Sequence, residues 1–367
     1  MDKNGCSLED ACKRAAKSGA TLRDVDTSDL KPILPLKEVR KLSLTTFQPQ
    51  TLGIAWHPDS RHLASIDQGG TAVLWDTVTS SVVQYTKRPH ATSVAVAPAP
   101  LDVEEKVVIA VGGIDNAITL IDMTTTRDGG ESIMRLPTMG ETHDGLVASL
   151  AFLDEQRIAS AGGDGDVRLW DIEKGETSDV LSGHTRDCSK VAVHRPSAGY
   201  GGAPRLASSS LDGTVRLWDA RAATASHVFK CGGEAEVGAL CFFPTGDMIG
   251  AGCADGSVRV FDLRSYNQLV SLAPPQQASA CNGIDFAKCG RALYTSHEDG
   301  SVGVWDPLGK GAGRKHRHVV PSRNTIESDP GRAPVASLCM PDDKGACAVA
   351  AYDGTVRVFT TKYGGKK

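Results

Sequence analysis

Residues 206–221 read LASSSLDGTVRLWDAR: a run of small residues, an Asp-Gly pair, then an alternating stretch that ends on Trp-Asp. Asp212 stands six residues before Trp218, and the spacing recurs. Asp164 precedes Trp170, Asp299 precedes Trp305, Asp115 precedes Ile121, Asp255 precedes Phe261 and Asp353 precedes Phe359, each by six. A further copy, LASIDQGGTAVLWDT, ends on Trp75-Asp76-Thr77 and carries Gly69 where the acid is expected. Successive endings are 43 to 54 residues apart, from Trp75 to Phe359. A period in the forties that closes on Trp-Asp predicts one β-propeller blade per copy. The expected fold is therefore all-β, a seven-bladed WD40 β-propeller.

Bulk properties bound the function. The 367 residues could make one large domain or two, and the repeat decides for one, because blades bury their faces only against neighbours. A formal net charge of −4 argues against general nucleic-acid binding, which needs a basic face. Ten cysteines include no C-x-x-C pair, and no apolar run follows Met1. Reduced thiols in a cytosolic protein are the expectation. No stretch approaches the length of a membrane span.

Residues 1–40 differ from the remainder. Ser7 suits an N-cap, acids follow in the first turn, basic residues come after them, and Gly19 suits a stop. A short helix is expected from about Leu8 to Ser18, followed by a linker. LSLTTF at 42–47 alternates but belongs to no complete repeat, and the last repeat ends near the C-terminus without a fourth strand of its own. We expect 42–47 to close the last blade within a propeller spanning 41–361, leaving a tail at 362–367. The stretch 309–334, with RKHRH at 314–318, is expected to be an exposed loop between the sixth and seventh blades.

A buried carboxylate needs donors. Two copies carry a full set: His143, Ser160, Asp164 and Trp170 in one, His184, Ser208, Asp212 and Trp218 in the other. The expected chain runs from the indole N–H to the hydroxyl, from the hydroxyl to His, and from His to Asp. Thr295, Asp299 and Trp305 lack an obvious histidine. A Ser-His-Asp set can also be a hydrolase triad. Here the set recurs per blade and ends on a tryptophan that no triad needs, and there is no G-x-S-x-G elbow. Gly309–Gly313 lacks phosphate-loop spacing, and His297-Glu298 lacks the second histidine of a zinc helix. No catalytic residue, metal site or cofactor is expected.

Several stretches resemble the heterotrimeric G-protein β subunit: GGIDN at 112–116, FLDEQRIASAGGDGDVRLWDIEKGE at 152–176, SGHTRD at 182–187, ALCFFPTGD at 239–247, RVFDLR at 259–264 and KCGRAL at 288–293. The resemblance spans about residues 50–360 and implies a non-enzymatic protein. It implies a γ subunit held through the N-terminal helix, with Leu8, Cys12, Ala15, Leu22 and Val25 as the seam. It also implies a GDP-bound α subunit capping one face of the ring, and effectors using that face once α leaves. Ile114 and Asn116 match an α-contacting turn, and Asp187 an acidic contact. Glu236 stands where Asp is usual and Tyr352 where Trp is usual. Leu52 and Leu146 stand where tyrosines are usual, His90 where a tryptophan is, Ser189 where a methionine is, Gln50 where a lysine is, and Ala254 where an acid is. The resemblance implies a cytoplasmic protein peripheral to the inner face of the plasma membrane, reaching the membrane only through its partners. The alternative is a WD40 adaptor of another complex, such as a kinase-receptor-like scaffold or a ubiquitin-ligase substrate adaptor.

Overall fold

The computed structural model describes residues 37–43, 50–98, 107–123, 133–136, 142–196, 203–219, 222–232, 235–272, 279–288, 290, 292–307, 313–319, 335–339 and 346–360. The expected N-terminal helix, with Leu8, Cys12, Ala15, Leu22 and Val25, lies outside them. Among the described residues there is no helix, and every regular element is a strand.

The strands form seven four-stranded antiparallel sheets. Blades 1 to 6 take residues 51–87, 91–136, 147–181, 188–230, 237–272 and 281–319, each in simple up-and-down order. The first strands of successive blades lie side by side, and that of blade 7 lies against that of blade 1, so the ring is closed. Blade 7 joins three strands within 335–360 to Lys37–Ser43 from the other end of the chain. The closing strand spans Lys37–Ser43, so it starts five residues before the expected 42–47 and shares Leu42 and Ser43 with it; residues 44–47 lie outside the described residues, and residues 37–40 belong to the propeller instead of a linker. Its burial alternates along the whole run KEVRKLS, and alternation of charged and apolar residues is what an outermost strand needs. The basic stretch at 314–318 is also corrected. Gly313–Val319 is the fourth strand of blade 6, paired with Ser301–Asp306, and is not a loop.

Each junction between neighbouring blades holds one apolar cluster, and there are seven such clusters among the described residues. Trp170 fills the junction of blades 2 and 3 with Ile118 and Leu150, whereas Trp218 fills that of blades 3 and 4 with Leu169 and Leu181. A sheet that buries both faces reads as near-continuous apolar sequence. The second strands do so: Met248–Cys253 and Ala346–Ala351 are buried at every position. Register is pinned by repetition. In all seven blades the pairing of first and second strands slips at the second residue of the first strand, a β-bulge at the same place each time.

Closure is latched in two ways. Leu42, almost fully buried, joins Ile54, Trp75 and Val358 at the junction of blades 7 and 1. Arg357, also buried, bonds Asp353 at 3.1 Å and reaches Glu38 of the closing strand at 3.4 Å. Leu42→Ala should therefore destabilise the whole ring by about 2–5 kcal/mol, read as a shift in the urea midpoint of a single transition.

Candidate functional site

The repeated acid first serves a turn. In five blades a carboxylate oxygen accepts the backbone N–H two residues on: Asp164 from Asp166 at 3.1 Å, Asp212 from Thr214 at 2.9 Å, Asp255 from Ser257 at 2.8 Å, Asp299 from Ser301 at 2.9 Å and Asp353 from Thr355 at 3.1 Å. The residue between them has positive φ, and glycine supplies it at Gly165, Gly213, Gly256, Gly300 and Gly354. In blade 2 that place is Asn116, at φ 60°, and asparagine tolerates the left-handed region better than most residues. Blade 1 has Gly69 in the acid's place, yet Asp67, two residues earlier, accepts Thr71 N–H at 2.7 Å. Thr71 stands four before Trp75, as Thr214 stands four before Trp218, so a different residue reaches the same amide.

In blades 3 and 4 the acid also anchors the expected chain. Trp170 Nε1 donates to Ser160 Oγ at 2.8 Å, Ser160 Oγ lies 2.6 Å from His143 Nε2, and His143 Nδ1 lies 2.9 Å from Asp164. Trp218, Ser208, His184 and Asp212 repeat this at 2.8, 2.8 and 2.9 Å. An indole N–H only donates, so the hydroxyl hydrogen is left for Nε2 and the Nδ1 hydrogen for the carboxylate. Burial alone would raise Asp164 and Asp212. Bonds from His143 to Asp164, and from Thr214 and His184 to Asp212, outweigh it and bring each carboxyl down to about 2. Burial pushes His184 down, against the opposing pull of Asp212. Gly183 is required by its backbone, whose φ of 151° is one that other residues rarely adopt.

These sets are built as braces and are closed to a substrate. Ser160 and Ser208 are 0% exposed, and both oxygens already accept an indole N–H. The other blades show the same logic. Every copy that ends in Trp has a hydroxyl ten residues earlier (Ser65, Ser160, Ser208, Thr295), while those ending in Ile121, Phe261 or Phe359 have Val111, Ala251 or Val349 there. Trp75 bonds Ser65 and Trp305 bonds Thr295, each at 2.8 Å. Blade 6 does contain a histidine. His297 Nε2 lies 3.0 Å from Thr295, and the ring reaches the Ser279 carbonyl through Nδ1. It comes from the second strand instead of the loop before the blade, so a search for Gly-His ahead of the blade passes over it. In blades 5 and 7 an arginine four residues after the acid approaches the carboxylate: Arg259 at 3.4 Å and Arg357 at 3.1 Å.

The same turns build one rim. In six blades a turn N–H bonds the carbonyl of the residue that leads into the first strand: Gln68 to Gln50, Ile114 to His90, Gly163 to Leu146, Leu211 to Asp187, Ala254 to Glu236 and Glu298 to Ala280, at 2.8 to 3.0 Å. This rung places His90, Ile114, Leu146, Asp187 and Glu236 at one end of the ring. Leu52 is the bulged residue of blade 1 at that end, and Ser189 the bulged residue of blade 4, where its hydroxyl bonds the Val237 carbonyl of blade 5. Tyr352 precedes the turn acid of blade 7; burial raises its phenol, and the nearby Glu298 of blade 6 adds to the rise. Ile114 is 64% exposed and Leu146 42%, unusual for aliphatic side chains. Glu236 is held across the junction of blades 4 and 5 by Arg186 at 2.8 Å. Asn116 is half-buried and has a conformational duty.

This architecture is that of a WD-repeat propeller. The WD domain, G-beta repeat pattern matches residues 43–76, 134–171, 175–219, 225–262 and 269–306, and the chain belongs to that family. The unmatched copies are those ending in Ile121 and Phe359. Among curated relatives, the guanine nucleotide-binding protein subunit beta of Zea mays is 29% identical over 83% of this chain and 78% of its own. One from Nicotiana tabacum is 30% identical over 69% of this chain and 68% of its own. Another, from Arabidopsis thaliana, is 26% identical over 85% and 80%. The chain is thus a divergent relative of G-protein β subunits, within a family of non-catalytic scaffolds.

The braces predict two outcomes. Ser208→Ala should cost about 1–3 kcal/mol, because it orphans a buried indole N–H, and Trp218→Ala about 3–5 kcal/mol. Adding Trp218→Phe to Ser208→Ala should cost less than the sum of the two single changes in a urea-denaturation cycle. The second outcome concerns pH. His184 is held neutral, so stability begins to fall as pH drops through its ordinary value of 6.5, where the unfolded chain takes up the proton. Asp164 and Asp212 titrate lower in the fold, so further stability is lost between pH 3.8 and about 2. Asp212→Asn should flatten this acid limb, although it lowers stability at neutral pH.

Proposed function

We propose that the chain is a G-protein β subunit. In this reading it pairs with a γ subunit, caps a GDP-loaded α subunit with the rim that carries Leu52, His90, Ile114, Asn116, Leu146, Asp187, Glu236 and Tyr352, and passes that rim to effectors when α leaves. It works at the inner face of the plasma membrane, held there by its partners. The observation that carries the reading is the rim. Two exposed aliphatic side chains, Ile114 and Leu146, stand among acids and an aromatic ring at the end of the propeller set by the blade turns. An apolar patch with a polar border is the composition of a protein interface. The relatives in maize and tobacco are named as β subunits of a guanine nucleotide-binding protein, which supports the other subunits of such a protein as partners.

One mechanism follows from a shared surface. Two partners that need the same residues exclude each other, so release of one makes the site available to the other without any change in the ring. A closed ring suits this, since its rim is set by backbone rungs already formed in the chain alone.

A second reading, an adaptor of another complex, draws on the replaced positions, above all leucines at 52 and 146. The experiment separates the two. The tagged full-length chain, co-expressed with α and γ subunits from its own source, should recover both in GDP and lose α when GTP analogue is added. Recovery of neither favours the adaptor. Ile114→Asp should leave the melting temperature nearly unchanged and weaken α binding at least about tenfold, the loss expected of an interface hot spot.

A further inference from the structure

At the end of blade 1 opposite the rim, the first hairpin turn reads WHPDSRH, from Trp56 to His62. The turn is tightly held. His57 N–H bonds the His62 carbonyl at 2.9 Å, Ser60 N–H bonds the His57 carbonyl at 3.0 Å, and Ser60 has φ 56°. One carboxylate oxygen of Asp59, Oδ1, is fixed by the backbone N–H groups of Arg61 at 2.7 Å and His62 at 2.9 Å. The other, Oδ2, faces two imidazoles. It lies 3.1 Å from His57 Nδ1 and 2.5 Å from His62 Nδ1, and the three atoms all lie within 4.8 Å of one another.

We propose that His57 Nδ1, Asp59 Oδ2 and His62 Nδ1 form a site for a divalent transition-metal ion, zinc foremost. Two imidazoles and one carboxylate are a donor set that zinc takes, with ligand distances near 2.0–2.2 Å. Tetrahedral zinc at those distances holds its ligand atoms about 3.3 Å apart; the His57 pair, at 3.1 Å, is near that separation, and the His62 pair, at 2.5 Å, is a hydrogen bond that opens when the metal replaces its proton. The two rings turn the same nitrogen toward the same oxygen. His57 is buried, and its other ring nitrogen has no hydrogen-bond partner, so Asp59 is the polar group that holds this ring. The neighbouring cation does not compete, because Arg61 binds Asp76 through Nη2 at 2.6 Å. Outer positioning is already in place, since the Oδ1 bonds orient the ligating carboxylate much as a second shell does. Asp59 and His62 are partly exposed, which leaves the fourth zinc position to water or to a donor from a partner.

The spacing His-x-Asp-x-x-His differs from zinc-finger and HExxH patterns, and a search for those patterns passes over it. It needs the turn to bring the ligands together. This inference does not depend on the α and γ reading, as it concerns the opposite end of the ring.

The test uses the full chain stripped with a chelator. Zinc titrated against a chromophoric chelator should bind at one equivalent per chain. Cobalt should give the visible bands of a tetrahedral ion with nitrogen and oxygen ligands. His62→Ala and Asp59→Asn should each weaken zinc at least about tenfold, the low end of the loss seen when even an outer partner is removed. Metal-free His62→Ala should melt with the wild type, and zinc should raise the melting temperature of the wild type alone. His316→Ala with His318→Ala, histidines on another blade, should leave binding unchanged. Absence of stoichiometric zinc binding would overturn the proposal. So would a thiolate charge-transfer band with cobalt, unchanged affinity in His62→Ala, or loss of binding in the His316 and His318 variant.

Discussion

The bond between a carboxylate and the amide four residues before each blade's closing aromatic position is the constraint on which the molecule rests. It appears in blades 3 to 7 from the repeated acid and in blade 1 from Asp67. It fixes the turn between the second and third strands, and it does so whether or not the blade ends in tryptophan. That ordering of duties explains the pattern of retention along the chain. The acid persists in blades 5 and 7, where Phe261 and Phe359 have no N–H to give and Ala251 and Val349 stand in place of the relaying hydroxyl. The longer braces of blades 3 and 4 are additions to a turn that already holds.

Those additions follow a rule of polar satisfaction. A buried indole needs an acceptor, the acceptor's own hydrogen needs a partner, and the partner's second nitrogen needs a carboxylate. Removing the tryptophan removes the need for all of it, and the chain replaces the hydroxyl by Val111, Ala251 or Val349 in those blades. The carboxylates of blades 5 and 7 meet Arg259 and Arg357, a contact that Arg168 also makes with the braced Asp164 at 3.7 Å. Replacing both partners by apolar groups is nearly neutral, while replacing one is not, and the indole and its hydroxyl are accordingly kept or lost together, even in blades 1 and 6 where the rest of the brace is shortened.

Much of the fold was legible because the repeat ties each blade to the same local chemistry. Blade number, ring closure by the N-terminal segment and the two full braces all follow from spacing and satisfiability. The misses have physical reasons. Asp67 was passed over because a fixed spacing of six looks at Gly69, and the structure shows a carboxylate reaching the amide from a neighbouring position. His297 was passed over because hydrogen bonds depend on where a ring arrives and not on which segment supplies it. Gly313–Val319 was read as a loop because clustered Lys, Arg and His lack a strand's apolar alternation; an outermost strand needs backbone pairing on one edge alone, and its composition is correspondingly free. The start of the closing strand was misplaced for a related reason, since KEVRKLS alternates with charged residues that read as linker. The rim positions came from a family resemblance, and nothing in periodicity or composition marks them.

The rim itself shows why fold and partner choice are separable here. Its shape comes from backbone rungs, turn N–H to strand-entry carbonyl, in which no side chain takes part. A residue such as Leu146 or Asp187 contributes its carbonyl to the rung and leaves its side chain out of it. Substitution at those places leaves the rung intact. Three positions are less free: His90 and Asn116 adopt a positive φ, and Glu236 is tied to Arg186 across a blade junction. A surface of this kind can exchange tyrosine for leucine, or tryptophan for tyrosine, with little cost to the ring. Divergence at the rim therefore disturbs the fold little, and the turn carboxylates are where the fold itself would register a loss.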